Sequence, residues 1–306
     1  MVVSKSDIIR AALLAGRTLS SANRGGAKSR IEARWRIAAI NLALDLDEPP
    51  VSDPPKDMQR NTQWDRLDPS EKSVLNFTLG CVVAKLVSER LFNAPLLLHH
   101  DVYEAFLHTK LGRRNKRPDF VGWTGHVGHR WLALEAKGRS HRPRQSGLER
   151  AKAQATALAT VRNQPVACHA TCWAYGKRQV VAYYEDPAPS PDEGEGFHLE
   201  VAEGMFANAY YAPLLPLLEV AEVPRGDDEV IIYRVASFDL SIVLHYKLDA
   251  AIGVSRGLSL AAAPGGRDLE QMEGLMELTP FPEIMIDDVP LGPDGVAIIP
   301  GGTWND

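Results

Sequence analysis

Apolar residues recur every three to four positions over residues 4–46 (Ile8, Ile9, Ala12 and Leu13, then Ile31, Trp35, Ile37, Ala38 and Leu42), with Gly25 and Gly26 between the two runs. That spacing matches the 3.6-residue period of an amphipathic helix, so it predicts two helices joined by a short turn. Residues 47–68 lose the period, are polar and gather Pro49, Pro50, Pro54 and Pro55, which reads as a linker or exposed loop with a boundary near residue 66. Helical spacing resumes at Ser70 and Glu71 and runs through Val74, Leu75, Leu79, Val82, Val83, Leu86 and Val87 to about Leu91.

From residue 95 the pattern shortens. Residues 95–98 are apolar and lead into 101–108, where Val102, Tyr103 and Phe106 predict a strand. Residues 117–123 and 130–136 predict two strands of a hairpin around the Gly-His-Val-Gly-His stretch at 125–129. Beyond a basic loop, an Ala-rich segment with Leu148, Ala151, Ala155 and Leu158 on one side predicts a helix over 146–161, and 166–175 and 179–184 predict two further strands. Residues 186–196, rich in Pro, Glu and Gly, mark a second boundary. The remainder predicts a helix over 202–219 broken near Pro213 and Pro216, a strand at 229–235 and a helix at 238–252. A terminal hairpin would then join 283–287 to 295–299 around Gly292, Pro293 and Asp294.

Charge changes this picture. The net charge of −5 hides two opposed halves: residues 1–185 hold 29 Lys and Arg against 17 Asp and Glu, a balance of +12, and residues 186–306 hold 5 against 22, a balance of −17. A basic half of that size attracts polyanions, nucleic acid first among them. Oppositely charged surfaces also suit self-association or a protein partner for the acidic region. The three cysteines are too few for a disulfide scaffold and point to a reducing cytoplasm, and no run is apolar enough for a signal peptide or a membrane span.

The chemistry gathers between the two boundaries. Phosphodiester hydrolysis needs an activated water and neutralised phosphate charge, which Mg²⁺ held by carboxylates supplies. Asp119 follows Pro118, and Glu135 ends the apolar run of 131–134, so both carboxylates fall where a dry strand meets solvent. Strand alternation puts Lys137 on the same face as Glu135, with Ala136 turned into the packing. An ammonium there can orient a water and stabilise charge developing on a phosphate. Arg113, Arg114, Lys116 and Arg117 on one side, and Arg139, Arg142 and Arg144 on the other, are placed to neutralise flanking phosphates.

Pro118-Asp119, fifteen intervening residues and Glu135-Ala136-Lys137 resemble the signature of the PD-(D/E)xK superfamily of restriction-endonuclease-like nucleases, over about residues 70–185. The resemblance implies an α/β fold whose restriction-endonuclease-like core is a mixed central sheet flanked by helices. On that reading, residues 1–66 are a basic helical segment and linker, 67–185 the nuclease core and 186–306 an acidic α+β accessory region. It implies a metal-dependent endonuclease with Asp119, Glu135 and Lys137 catalytic, Asp119 and Glu135 holding Mg²⁺ (or Mn²⁺), and DNA favoured over RNA as substrate. By analogy, a prokaryotic defence effector is the expected setting. Members often carry a further acid, for which Glu71, Glu89 and Glu104 are candidates. The Gln-Tyr pair of one subgroup is incomplete here, since Gln154 is followed four residues on by Leu158. The alternative is a non-catalytic nucleic-acid-binding or assembly subunit on a nuclease-like core.

Overall fold

The computed structural model describes residues 3–15, 27–46, 58–100, 109–110, 117–125, 130–185, 196–201, 203–252, 279–282 and 284–301. The first helix, α1 (Lys5–Leu14), opens on a capping box in which Ser4 and Asp7 satisfy each other's backbone N–H groups. It is followed by α2 (Ala27–Ala43) and, after residues 47–57, by α3 (Pro69–Leu91), whose cap is Asp68 with Glu71 reaching back to it and Pro69 at the first helical position. Residues 101–108, where the sequence predicts a strand, lie outside the described residues; the preceding apolar segment is itself a strand, β1 (Leu96–His99), buried at all four positions.

The strands β2 (Thr109–Lys110), β3 (Phe120–Trp123), β4 (Trp131–Arg139), β5 (Leu158–Val161), β6 (Gln164–Tyr175), β7 (Val181–Glu185) and β8 (Phe197–Leu199) join β1 in one mixed sheet of order β1-β3-β4-β6-β5-β8-β2, with β7 also on β6. The expected hairpin is present as antiparallel β3 and β4, pairing Phe120 with Leu134 and Trp123 with Trp131. A parallel β4–β6 pair needs a crossover, which α4 (Gln145–Ala155) supplies. This helix stops short of the expected residue 161. Leu158, Thr160 and Val161 instead form β5, and Arg162 and Asn163, at φ 50° and 61°, turn it into β6. Two successive positive φ values are the geometry of a tight hairpin, and β-branched Thr160 and Val161 favour the strand over a last helical turn.

Residues 203–218 form α5 (Glu203–Tyr211), a 3₁₀ turn at Ala212–Leu214 and the short α6 (Leu215–Leu218), so the helix breaks at Pro213 and Pro216 as expected. A second sheet contains β9 (Arg225–Gly226), β10 (Val230–Val235) and β11 (Leu240–His245). Residues 240–245 were expected to be helical, yet they pair along their whole length with β10, leaving only α7 (Tyr246–Ile252) as helix. The expected terminal hairpin is also rearranged: β12 (Met285–Ile286) pairs with β13 (Val289–Pro290), while β14 (Val296–Pro300) pairs with β11.

The main sheet is covered on both faces. Leu132, Leu134 and Ala136 of β4 turn toward α3, whose Leu79, Val83 and Leu86 are fully buried. Trp131 and Ala133 turn the other way, into a core that also takes Ile9 and Leu13 from α1, Phe206 and Tyr210 from α5, and Val235, Ile242 and Ile298 from the second sheet. No helix among the described residues is long and apolar enough to cross a membrane.

Candidate active site

Period-2 alternation in β4 runs from the dry core to the candidate site. Trp131 and Ala133 are buried, Glu135 is 0 % exposed, and Lys137 reaches solvent on the same face. Asp119 lies immediately before β3, one residue beyond the Phe120–Leu134 pair, and so comes alongside Glu135. The two acidic residues are cross-linked. The Asp119 backbone N–H donates to Glu135 Oε2 at 3.1 Å, and Asp119 Oδ2 accepts from the backbone N–H of Ala136 at 3.0 Å. Lys137 closes the group: its ammonium donates to Glu135 Oε1 and stands 3.5 Å from Asp119 Oδ2. Thus the three residues singled out by spacing meet at one point.

Helix α3 fixes the height of this strand end. A Cβ on Gly138 would lie 1.6 Å from the Asn76 carbonyl oxygen, and one on Gly80 would lie 2.8 Å from the Gly138 nitrogen, so helix and strand backbones touch beside Lys137. The Asn76 amide also donates to Ser140 Oγ at 3.2 Å.

Electrostatics mark Glu135. Burial pushes its carboxyl up from 4.5 to about 8; the negative Asp119 pushes the same way, and the Lys137 ammonium only partly offsets both. For Lys137, burial pulls the ammonium down, but Asp119 and Glu135 together outweigh it and the net shift is upward. A carboxylic acid held near neutrality beside a second acid is the electrostatic condition a divalent cation relieves.

Sheet register brings in residues that no local sequence signal identifies. Thr171 of β6 lies beside Glu135, and Glu185 of β7 lies beside Thr171, so a row crosses Asp119, Glu135, Thr171 and Glu185. The Thr171 hydroxyl is fully buried without a hydrogen-bond partner, as is the indole N–H of Trp173, the neighbour of Lys137. From α4, Lys152 pairs with Glu185, and Gly147 sits over the Trp173 ring.

The other expected contributors divide. Arg139 at the end of β4, and Arg142 and Arg144 in the segment that follows, are exposed, and Arg117 is half-buried just before Pro118. Arg113, Arg114 and Lys116 lie outside the described residues, as does Glu104. Glu71 is committed to the cap of α3, accepting from the Asp68 N–H at 2.9 Å. Glu89 is buried against Arg10 and Lys85, in a different part of the molecule. Among the described residues, no cluster of three or more His, Cys, Asp or Glu side chains forms a ready metal cage. Arg10 of α1 docks on Asp294 of the C-terminal region at 2.7 Å.

Comparison with family models, with curated proteins and with solved structures found no match to the chain.

Proposed function

We propose that the chain is a metal-dependent nuclease of the PD-(D/E)xK type, hydrolysing phosphodiester bonds of nucleic acid, with DNA favoured over RNA. The observation that carries the reading is the meeting of Asp119, Glu135 and Lys137 at the end of an α/β sheet, although fifteen residues separate the two acids. The element order supports it too: a helix, three antiparallel neighbours β1, β3 and β4, a crossing helix and a parallel β6 follow the order expected of a restriction-endonuclease-like core.

The donor set fits a hard cation. Asp119 and Glu135 offer carboxylate oxygens, Mg²⁺ characteristically takes one or two protein carboxylates and keeps its waters, and the position between the acids already attracts the Lys137 ammonium. Asp119 and Glu135 would hold the ion, which when bound supplies Lewis-acid stabilisation of the phosphate and acidifies a water. Lys137, displaced from the acids, then faces the phosphate and stabilises negative charge developing there. The exposed Arg139, Arg142 and Arg144 contribute sequence-independent phosphate contacts.

One observation favours a second reading. Lys137 contacts both acids, and with the Glu135 carboxyl protonated its pairing with Asp119 is self-neutralised, an arrangement that a non-catalytic nucleic-acid-binding subunit would also tolerate. The two readings separate on incubating the full chain with plasmid DNA, single-stranded DNA and RNA, with and without Mg²⁺ or Mn²⁺. Metal-dependent cutting that is lost in Asp119→Ala and Lys137→Ala, with circular dichroism unchanged, supports the nuclease. Retention of nucleic acid without cutting under every condition supports the binding subunit.

A further inference from the structure

A second polar cluster lies behind the strand end that bears Lys137. Arg60 is 6 % exposed; its Nη2 donates to Asn76 Oδ1 at 2.8 Å, its Nε donates to the Gly176 carbonyl at 3.3 Å, and the guanidinium lies 3.8 Å over the Trp64 ring. Its Nη1 is buried and has no acceptor. No described carboxylate balances the charge, and burial alone pulls the group down to about 10. A buried cation without a counter-ion is costly, and a guanidinium presents paired donors matched to the oxygens of a phosphate.

The surroundings favour an anion. Asn76, which holds Arg60, is the residue whose carbonyl abuts Gly138 and whose amide reaches Ser140, so the cluster adjoins the residues just past Lys137. The turn between β6 and β7 brings exposed Lys177 and Arg178 to the same place, where the Arg60 backbone N–H donates to the Arg178 carbonyl at 2.6 Å. Arg139 is registered against Tyr175 at the start of that turn. The acids at the neighbouring end of α3, Asp68 and Glu71, are engaged in its cap.

We propose that Arg60 anchors a phosphate-binding subsite rimmed by Ser140, Lys177 and Arg178, and that it takes a backbone phosphate of the strand whose neighbouring phosphate lies at Lys137. The phosphate class follows from the cluster itself; its assignment to a nucleic-acid backbone rests on the nuclease reading. Because Nη1 lies beneath the surface, phosphate reaches it only as the turn at 176–178 yields.

The test uses the full chain in EDTA, so that nothing is cut. Inorganic phosphate is titrated at constant ionic strength while the thermal midpoint is followed in wild type, Arg60→Met and the double variant Lys177→Ala/Arg178→Ala. Wild type should rise with the logarithm of phosphate concentration above its Kd, by about 5 °C once phosphate exceeds that Kd about 100-fold. Arg60→Met should lose that rise, and the double variant, whose exposed residues are safe for folding, should need about tenfold more phosphate for the same midpoint, as expected for lost charged contacts. A flat wild-type response, or a double variant that follows wild type, overturns the subsite. A single-stranded oligonucleotide then distinguishes the bearer: competition with phosphate identifies a backbone phosphate, and undiminished phosphate response at saturating oligonucleotide overturns that assignment in favour of free phosphate. Phosphate binding through Arg60 in a chain that never cuts would remove the nuclease reading and keep the subsite; cutting without a phosphate response would do the reverse.

Discussion

At the scale of single residues, Glu135 couples the stability of the fold to pH. Its folded value of about 8 lies above the ordinary 4.5, so between these two pH values the metal-free folded state holds a proton that the unfolded chain has released. Stability from this group is therefore largest at low pH and declines as pH rises through that window. Glu135→Gln removes the titration: relative to wild type it should gain about 1–3 kcal/mol between pH 5 and pH 9, read from urea midpoints. An unchanged difference across that range would mean that Glu135 is ionised throughout. If Asp119 and Glu135 hold Mg²⁺, the ion must expel that proton. Calorimetry at pH 7 in buffers of different ionisation enthalpy should show about one proton released per ion bound, and zero release would count against Glu135 as a ligand. The sequence made Glu135 and Lys137 legible because alternation in one strand is a local rule, and Asp119 because it follows Pro118 at the mouth of the preceding strand. Thr171, Glu185 and Arg60 were not legible, because they reach the region through strand register and loop packing across more than thirty residues of chain.

At the scale of elements, the contact between α3 and β4 sets where Lys137 stands. Gly138 and Gly80 meet opposing backbone, whereas a Cβ on Gly147 of α4 meets only the tip of Trp173 at 3.5 Å, an ordinary contact. The same chemical change should therefore have opposite signs. Gly147→Ala should stabilise by about 0.5 kcal/mol through helix propensity. Gly138→Ala, directed at backbone that cannot rotate aside, should cost about 3 kcal/mol and displace Lys137, lowering cleavage more than nucleic-acid binding. Denaturation midpoints check the first half and paired cleavage and binding assays the second; equal midpoints for both variants would refute the contact. Elements with long, regular periods, such as α3 and β4, could be read from sequence. Segments 158–161 and 240–245 could not, because Leu158 and Leu240 extend an apolar spacing that suits helix or strand equally, and only pairing with β6 and β10 decides.

At the scale of the whole molecule, one buried ionic network ties the N-terminal helix, the central helix and the C-terminal turn. Arg10 of α1 contacts Glu89 of α3 and Asp294 before β14, each at 2.7 Å, Lys85 donates to Glu89 and stands 3.3 Å from Asp294, and the Tyr210 hydroxyl donates to Asp294 at 2.6 Å. These groups come from residues 10 to 294, so neither charge balance nor periodicity along the chain reveals them. Burial pushes the Asp294 carboxyl up, but Arg10 and Lys85 outweigh it and the net shift is below 3.8. A depressed carboxyl contributes stability that is present above its unfolded value and is lost as pH falls through the folded one. Asp7, which burial raises and Arg10 pulls further down, follows the same sign. Acid unfolding should accordingly begin below about pH 4. Asp294→Ala leaves Lys85 buried with Glu89 alone and Arg10 with Glu89 and Asp7, and breaking a buried ion group in this way costs roughly 3–5 kcal/mol. Because the network spans all three parts of the chain, that loss should appear in a single cooperative transition, with tryptophan fluorescence, to which Trp123 and Trp131 in the main sheet contribute, moving together with far-ultraviolet circular dichroism. A variant whose dichroism shifted while the tryptophan midpoint held would instead mean that the C-terminal part unfolds alone, and that the basic and acidic halves are joined only by their charge.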